Sequence, residues 1–546
     1  MSDASSRFSL PTPLQGWSLL ALLAIYLLVG TTGHLPWRGD DLTHLGPIHA
    51  ILSGGGWLMP EIAGEVYREN PPLYYWLGAG LARLLGGLLP EHDAARLAST
   101  VFTATTLYWT GLAARRMYGP GSFAAAILLG LGALGLVVHA HETQPILAEL
   151  AGMALCYAGL AEQTQRPWRA ALQTGVGSGI AFLAGGLSGL VLTTPLILLS
   201  PALCPAHRCR IGLLGTLLSL AITTMIAGAW LAAVAVNYPG ELALWWRDEY
   251  ASIRPHLSNL GAFNKLIQLL GWFSWPLWPI AGWAVWRNRQ QLWLGAPQLI
   301  LPILASILAI LFTALTGSIR PANMLPILPP LCLLAAFGVE SLRRGAANAF
   351  DWFGVMTFIF FGLLVWLGWS ALHFGWPPGL ARQVARIAPD FPADSVLGGA
   401  VIGAILSCAL LLLPILTRRG TMRGTTNWAL GLTLLWCLAV TLWQPWFVYT
   451  KNYQPVASEL TKALDGRSFN CIKRAGLGDT QRAALDYFSS IRTVSYRSQQ
   501  QCELLLTYST ASNSPSIAKE EWRPIWQRRL GGGRKTEIFR LYQRNH

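Results

Sequence analysis

Apolar runs of about 20 residues recur along the chain, and they constrain the fold most, because a helix of that length crosses the hydrocarbon core of a bilayer. Only 12% of the 546 residues are charged, and 53% are hydrophobic. A soluble protein of this size carries about twice that share of charge. The mean hydropathy is +0.41. Together these features predict an all-α polytopic membrane protein.

Arginine pairs between the apolar runs predict how the chain is oriented. Short loops rich in arginine face the cytoplasm, so the pairs Arg115-Arg116, Arg343-Arg344 and Arg418-Arg419 mark cytoplasmic turns. This rule predicts thirteen spans, with the N-terminus inside and the C-terminus outside. The spans cover residues 17–35, 94–115, 120–139, 145–163, 170–185, 187–204, 210–236, 264–286, 293–315, 323–342, 352–373, 395–417 and 426–447.

One apolar run, Pro71 to Leu89, does not fit as a span, because a crossing there would place Arg115-Arg116 outside. We predict that it forms a helix on the membrane surface. Pro71-Pro72 suits the first turn of a helix, and the aromatic residues that follow favour an interface. A second surface helix is predicted over Leu42 to Leu52. The loop 36–93 is then a structured segment on the periplasmic side.

The composition becomes polar from about Thr450, which predicts a small α/β periplasmic domain over 450–546, after a transmembrane domain over 1–449. A domain of this length can be translocated although it is basic, because the positive-inside bias acts on short loops. Helices are predicted over PVASELTKALD and TQRAALDYFSS, and strands over CIKRAGL, RTVSYR, CELLLTYS and EIFRLYQ. Cys471 and Cys502 form a disulfide if the compartment is oxidising. The alternative is two buried thiols in adjacent strands.

Carboxylates flank the first outer loop. Asp40 and Asp41 follow the first span in WRGDDLTHL, and Glu69 precedes the surface helix in VYRENPP. Ionisable groups at membrane depth are costly and usually mark a functional site, and paired carboxylates can transfer protons or orient hydroxyl groups. As alternatives, Asp41 caps the helix that follows it, and Glu69 pairs with Arg68 in solvent.

Basic residues in the other outer loops are candidates for an anion site. Arg247, Arg254, His256 and Arg320 gather opposite the carboxylates if these loops converge, and such a group suits a phosphate. The alternative is that they are ordinary loop residues. No metal site is predicted, because Cys204 and Cys209 lack further convergent ligands and the outer face has no Asp-x-Asp motif.

Several motifs occur in a familiar order: WRGDD (37–41), GGWLMP (55–60), YRENPPLYYW (67–76), AFLAGGLSGLVL (181–192) and RPANMLPILPPL (320–331). With them the chain resembles the polyprenyl-phosphate-sugar transferases of the GT-C fold. It is most similar to lipid A aminoarabinose transferases and bacterial protein mannosyltransferase-like proteins. The resemblance implies a lipid-linked donor, no soluble nucleotide sugar, no cofactor and no obligatory metal.

Residue by residue, the resemblance places Asp40 on the family's catalytic-loop aspartate and Glu69 on its conserved glutamate. The chain departs from the family at three positions. Asn70 stands where the family usually has a lysine that contacts the donor phosphate, Gln144 replaces an aspartate, and Gly185 replaces the lysine of LTKG. Arg68 lies two residues before Asn70 and would point the same way in an extended segment. We therefore predict that Arg68 substitutes as a phosphate ligand.

The motifs predict an inverting glycosyltransferase of the bacterial inner membrane. It would move a sugar from undecaprenyl phosphate to a periplasmic-side acceptor, which is lipid A or another envelope glycolipid. Asp40 would orient or deprotonate the acceptor, and Glu69 would hold the sugar or acceptor. The expected partners are the donor lipid, an anionic lipid or glycan acceptor and the bilayer. We expect a monomer and no nucleic acid. The predicted donor-phosphate ligands are Arg68, Asn70, Arg247, Arg254, His256 and Arg320, and the predicted acceptor or sugar contacts are Asp41, Tyr67 and Tyr74.

Three other functions compete with this prediction. The acceptor could be a protein or a glycan. The chain could instead be a catalytically silent, lipid-binding relative, which the replaced lysines and aspartate favour. A secondary transporter is disfavoured, because the sequence has no inverted repeat and no pair of interrupted helices. The sequence does not identify the sugar.

Overall fold

The computed structural model describes residues 14–254, 260–317, 319–388, 391–392, 397–510, 515, 521–531 and 536–545. Helices make up most of this part of the chain. In chain order the first twenty are α1 (Trp17–Leu28), α2 (Asp40–Leu52), α3 (Leu73–Leu85), α4 (Glu91–Tyr118), α5 (Ser122–Leu131), α6 (Leu136–His139), α7 (Ile146–Leu160), α8 (Pro167–Gly185), α9 (Leu187–Leu203), α10 (Arg210–Asn237), α11 (Glu241–Ile253), α12 (Leu260–Phe273), α13 (Leu277–Arg287), α14 (Arg289–Trp293), α15 (Pro297–Thr316), α16 (Leu328–Val339), α17 (Arg344–Phe374), α18 (Pro378–Ile387), α19 (Leu397–Leu416) and α20 (Arg423–Lys451).

A helix lies over each of the thirteen predicted spans. Within the described residues, six helical stretches are long and apolar enough to cross a membrane by themselves: Arg210–Asn237, Pro297–Thr316, Ala322–Val339, Arg344–Phe374, Gly398–Leu416 and Arg423–Leu464. The chain is therefore a helical, multi-pass membrane protein, as its apolar runs predicted.

Two predicted spans are each two helices rather than one: 120–139 is α5 and α6, and 264–286 is α12 and α13. The chain breaks between α12 and α13 at Ser274 to Pro276, where the proline has no amide hydrogen to continue the helical bonding. The backbone carbonyls freed by the break are used elsewhere. Those of Phe273 and Trp275 accept from the amides of Gly135 and Leu134, at 2.8 and 3.2 Å. The break therefore ties α12 and α13 to the turn between α5 and α6.

Small residues allow the helices at the centre of the fold to pack closely. A Cβ atom on Gly152 of α7 would lie 2.6 Å from the carbonyl oxygen of Gly177 on α8, and the reverse distance is 2.7 Å. Such close backbone approach is typical of helix pairs in membranes. It fixes α7 against α8, and these two helices carry one side of the site described below.

The first outer loop contains both predicted surface helices, α2 and α3. Between them lies a short antiparallel hairpin of β1 (Glu61–Ile62) and β2 (Glu65–Val66). Pro72 stands at the N-cap of α3, as its position before the aromatic run suggested. Asp40 and Asp41 are the first two residues of α2, and α2 packs against the hairpin, where a Cβ atom on Gly46 would lie 3.2 Å from the Ile62 side chain.

A small α/β unit, called here the C-terminal region, follows α20. It contains α21 (Gln454–Leu464), β3 (Ile472–Ala475), α22 (Asp479–Ser489), β4 (Val494–Ser495), β5 (Leu504–Thr510), β6 (Trp522–Leu530) and β7 (Glu537–Arg544). The strand order is β4-β3-β5-β7-β6. Strand β3 runs parallel to β4 and β5, and β7 runs antiparallel to β5 and β6.

The predicted helices and strands of the C-terminal region are present, whereas the edge strand β6 was not predicted from its sequence, WRPIWQRRL. Cys471 and Cys502 form a disulfide with their Cα atoms 5.0 Å apart. The bond joins the segments that enter the paired strands β3 and β5. The predicted pairing is therefore confirmed over the alternative of two free thiols.

Candidate active site

A cavity of about 920 Å³ opens where the first outer loop meets the ends of several helices. Its walls come from α2, the segment after β2, α7, the turn between α8 and α9, α11, the end of α15 and the start of α22. Six of the predicted site residues line it: Asp40, Tyr67, Arg68, Glu69, Asn70 and Arg320, together with Gln144 and Gly185. The structure therefore brings together groups that lie up to 280 residues apart in the sequence.

Asp40 is half-buried at the start of α2, after Gly39, whose φ of 111° is a backbone conformation that favours glycine. The side-chain amide of Gln144 donates to Asp40 Oδ2 at 3.2 Å. Within the described chain no hydrogen bond reaches Oδ1. This carboxylate oxygen is therefore available to accept a proton or a hydrogen bond from a substrate. Because the side chain of Gln144 is neutral, it adds no negative charge that would repel the carboxylate of Asp40.

Glu69 also lines the cavity, and the hydroxyl of Tyr67 donates to Glu69 Oε2 at 3.0 Å. Burial raises the pKa of Tyr67 well above its usual value, and the charges of Tyr75 and Glu69 raise it further. The phenol therefore stays protonated and acts as a donor that holds the carboxylate. The alternative of a Glu69–Arg68 pair is not found, because Arg68 turns to a different helix.

Arg68 is held by carboxylates of α11. Its Nε and Nη2 atoms contact Glu241 Oε2 at 2.8 and 2.6 Å, and its Nη1 lies 3.9 Å from Asp248. Its charge is therefore largely offset before a ligand arrives. Arg320 differs, because it is exposed to the cavity and no described carboxylate lies within 4 Å of its guanidinium group. Of the two arginines that line the cavity, Arg68 is already paired with carboxylates, whereas Arg320 can still pair with an anionic ligand.

The remaining predicted phosphate ligands do not join this group. Arg247 is exposed on α11 and pairs with the neighbouring Asp248 at 3.0 Å. Neither Arg247 nor Arg254 is among the residues that line the cavity. His256 lies outside the described residues. Asn70 lines the cavity and can contribute only a neutral amide.

Asp41 was predicted to contact the acceptor or sugar, but it lies outside the cavity lining. It is 1% exposed, forms an ion pair with Arg96, and accepts hydrogen bonds from the amide and hydroxyl of Thr143, both at 2.7 Å. Burial acts to raise the pKa of Asp41, but Arg96 and Thr143 outweigh it and lower the pKa to about 2. Asp41 therefore fixes α2 against α4 and the segment before α7.

Tyr74 also lies outside the cavity lining. It is fully buried, and its hydroxyl contacts Ser99 at 2.7 Å and the backbone amide of Gln144 at 3.1 Å. Tyr74 thus holds the segment whose side chain bonds to Asp40. Its effect on the site is indirect, through the position of Gln144.

Two buried carboxylates in the cavity wall were not predicted from the sequence. Glu149 of α7 and Glu249 of α11 are 3% and 5% exposed and line the cavity. Glu149 accepts from the Ser188 hydroxyl at 3.0 Å, and Glu249 accepts from the Leu187 amide at 2.6 Å. Among the described residues, no Lys, Arg or His lies within 4 Å of either one. Burial raises the pKa of Glu249 to about 7.

Glycines between α8 and α9 make room for these carboxylates. A Cβ atom on Gly185, where the family has a lysine, would lie 2.5 Å from the carboxyl carbon of Glu149. A side chain at position 185 would therefore displace the carboxyl group of Glu149 from its present position. The position of Glu149 inside an apolar run was a signal that could have identified it, because a carboxylate in such a run usually marks a functional site. No local pattern pointed to Glu249.

His44 adds no positive charge to the cavity. Its Nδ1 lies 3.0 Å from the hydroxyl of Tyr75, and burial lowers its pKa to about 4 although Asp40 and Asp41 oppose the shift. The lining is therefore acidic, with carboxylates at Asp40, Glu69, Glu149, Asp248, Glu249 and Asp479 and guanidinium groups at Arg68 and Arg320. Among the described residues, no group of three or more His, Cys, Asp or Glu side chains could hold a metal ion.

Comparison with known proteins supports the fold that the motifs suggested. No protein-family model matches the chain. It is 27% identical over 368 residues to the undecaprenyl phosphate-alpha-4-amino-4-deoxy-L-arabinose arabinosyl transferase of Pseudomonas aeruginosa strain UCBPP-PA14, which covers 63% of each protein. It is 22% identical over 445 residues to the protein of the same name from Serratia proteamaculans, covering 78% of this chain and 75% of that protein. The first alignment thus spans less than two thirds of the relative.

Among solved structures, the chain is similar to ArnT from Cupriavidus metallidurans. The crystal structure bound to undecaprenyl phosphate has a TM-score of 0.65 and 17% identity, and the match covers 95% of this chain and 97% of that one. The apo structure also has a TM-score of 0.65, with 18% identity. The predicted GT-C fold is therefore confirmed over nearly the whole chain.

Proposed function

We propose that the protein is an inverting glycosyltransferase of the inner membrane that moves a sugar from undecaprenyl phosphate to an acceptor on the periplasmic side. The acceptor is lipid A or another envelope glycolipid. The observation that carries the proposal is that Asp40, Glu69 and Arg320 line one cavity. The curated relatives are named as transferases of this donor class. We further propose that the protein acts as a monomer.

The reaction would be a single displacement at the anomeric carbon. The acceptor oxygen attacks this carbon while Asp40 orients it or removes its proton. The bond between the sugar and the phosphate oxygen breaks, and its electron pair leaves with undecaprenyl phosphate. Glu69, held by Tyr67, would fix the sugar. One displacement inverts the configuration at the anomeric carbon.

Arg320 is the strongest candidate for the phosphate ligand. A phosphate in a partly dry site needs a cation, because an unpaired charge there is costly. The planar guanidinium group can donate two hydrogen bonds to a phosphate. Arg320 is available because no described carboxylate pairs with it, whereas Arg68 would first have to give up Glu241. Stabilising the leaving phosphate as its charge grows would accelerate the transfer.

The acidic lining favours a sugar that carries a positive charge. Glu149 and Glu249 are nearly fully buried without a described cation beside them, and uncompensated buried charge is costly. A protonated amine on the sugar would supply the missing charge. The relatives are named for a donor with an amino sugar. We therefore propose an amino sugar as the transferred group.

A silent, lipid-binding relative is the second candidate. The observation that favours it is that Arg68, expected to replace the family's lysine, is already paired with Glu241 and Asp248. A silent relative would bind undecaprenyl phosphate but would release no sugar.

Transfer of a labelled sugar separates the two functions. The purified full-length protein is incubated with undecaprenyl-phosphate-linked aminoarabinose and lipid A, and product is measured by chromatography. We expect transfer by the wild type and none by Asp40→Asn or Glu69→Gln, both folded and membrane-inserted. Asp465→Asn, on the exposed end of α21, is the matched control and should keep full activity. Normal activity in either site variant would remove that residue from the mechanism.

A further inference from the structure

Helix α22 reaches the active-site cavity although it belongs to the C-terminal region. Its first two residues, Asp479 and Thr480, line the cavity together with Asp40. The transmembrane helices and the first outer loop therefore do not enclose the cavity by themselves. The chain that forms this part of the wall follows Asp40 by more than 430 residues.

The position of α22 is fixed by contacts that do not depend on a substrate. A Cβ atom on Gly46 of α2 would lie 3.0 Å from the Cβ of Ala483, so the two helices pack closely. Glu65 of the hairpin accepts two hydrogen bonds from Arg474, both at 2.7 Å, and lies 3.0 Å from Arg482. A helix held in this way presents its first turn to the cavity in a fixed geometry.

The hydrogen bonds of Thr480 define what it can still bind. Its hydroxyl oxygen lies 2.6 Å from that of Thr43, and the Thr43 hydroxyl already donates to the Gly39 carbonyl at 2.9 Å. A hydroxyl has one hydrogen to donate. Thr480 must therefore donate to Thr43, and its own oxygen is left as a hydrogen-bond acceptor at the cavity.

Asp479 also has an oxygen that can accept a hydrogen bond at the cavity. Its Oδ1 binds Arg482 at 2.7 Å, and in the described part of the chain no hydrogen bond reaches its Oδ2. Burial and then the neighbouring Tyr75 and Glu69 raise the pKa of Tyr67, and the charge of Asp479 adds to this rise. Asp479 is thus close enough to act on the Tyr67–Glu69 pair, the side of the cavity proposed to hold the sugar.

We propose that Asp479 and Thr480 bind hydroxyl groups of the transferred sugar, so that the C-terminal region supplies one wall of the active site. This inference rests on the proposed function and adds two sugar-binding residues to it. Both free groups are acceptors, so they match hydroxyl donors. They do not match a phosphate, which is itself an acceptor and would be repelled by Asp479.

Kinetics of conservative variants test the role of the two side chains. Thr480→Val should raise the donor KM about 2- to 10-fold, the worth of one neutral hydrogen bond. Asp479→Asn should raise it about 10-fold or more, because a charged acceptor is lost. Thr480→Ser should restore the wild-type KM, and the acceptor KM should stay unchanged. Thr461→Val on α21, away from the cavity, is the matched control. A loss of thermal stability without a change in donor KM would indicate a purely structural role and would overturn the proposal.

Thiol protection tests the same contact without turnover. A Thr480→Cys variant of the full-length protein is alkylated, and the rate at this site is followed by mass spectrometry of the peptide. Undecaprenyl phosphate that carries the sugar should slow the alkylation at least several-fold, and bare undecaprenyl phosphate should not. Equal rates with both lipids, or protection by the acceptor alone, would overturn the proposal. Protection without any sugar transfer would keep this inference and overturn the transferase function.

Discussion

Asp40 and Asp41 are neighbours in sequence. We predict that Asp41→Asn lowers the folding stability, whereas Asp40→Asn abolishes sugar transfer and leaves the stability nearly unchanged. Asp41→Asn removes a charge that is buried against Arg96, whose side chain is fully buried. Arg96 keeps Asp93 as a partner at 3.0 Å. Asp40→Asn changes a half-buried group that accepts one hydrogen bond, from Gln144.

The expected magnitudes follow from these environments. Breaking a buried ion pair by removing one partner costs about 3–5 kcal/mol of folding stability, and the remaining Asp93 places Asp41→Asn at the lower end, about 3 kcal/mol. An asparagine at position 41 also has only one oxygen to receive the bonds from Trp37 and Thr143. For Asp40→Asn the loss is about 1 kcal/mol or less, the worth of one hydrogen bond. It should instead abolish transfer.

Thermal unfolding in detergent, followed by tryptophan fluorescence, measures the difference. Asp41→Asn should lower the melting temperature clearly, whereas Asp40→Asn should melt close to the wild type and be inactive. A second variant, Arg96→Met, should lower the melting temperature at least as much, because it leaves both Asp41 and Asp93 buried without their arginine partner. Equal melting of Asp40→Asn and Asp41→Asn, or an Arg96→Met variant that melts like the wild type, would refute the assigned role of Asp41.

Three further predictions follow from charges and orientation. Arg320→Ala should raise the donor KM about 10- to 100-fold, the worth of a charge-assisted contact, while Arg247→Ala changes it less than twofold; equal effects would remove Arg320 from the phosphate site. Burial raises the pKa of Glu249 from 4.5 to about 7. The free energy of unfolding is therefore highest below about pH 4.5 and falls by on the order of 3 kcal/mol as the pH rises through about 7. Glu249→Gln should therefore flatten the melting temperature between these pH values, and an unchanged slope would contradict the burial argument. In intact spheroplasts, a cysteine at Gly345 should resist an impermeant thiol reagent and one at Gly379 should react; the reverse pattern would invert the topology.

The helices were predictable because the bilayer imposes one length and one composition on every span. Where the sequence misled, a tertiary contact decided the outcome. The run 264–286 is long enough for one helix, yet it breaks where Phe273 and Trp275 bind the turn between α5 and α6. Strand β6 was missed because its arginines and proline lack the pattern of a buried strand, although an edge strand tolerates both.

The site residues divide in the same way. Asp40 and Glu69 were predicted from local motifs, and both line the cavity. Asp41 was grouped with Asp40 although successive side chains on a helix point about 100° apart, which sends the two to different surroundings. Glu249, Asp479 and Thr480 reach the cavity only through the docking of α11 and α22, which no local pattern in the sequence records.

The resemblance to the transferase motifs implies three replaced residues, which act together on the charge of the cavity. Asn70 and Gly185 remove two lysines, while Gln144 removes one carboxylate. The acidic groups then outnumber the free cations, and the proposed donor would bring a positive charge that stabilises the ionised form of Glu249. In the proposed complex the ammonium of an amino-sugar donor would lie beside the carboxyl groups of Glu149 and Glu249 while its phosphate binds Arg320. Because Glu249 ionises near pH 7, binding of such a donor should strengthen as the pH rises through 7. A neutral-sugar donor should show no such gain, and a gain of equal size for both would refute this account of selectivity.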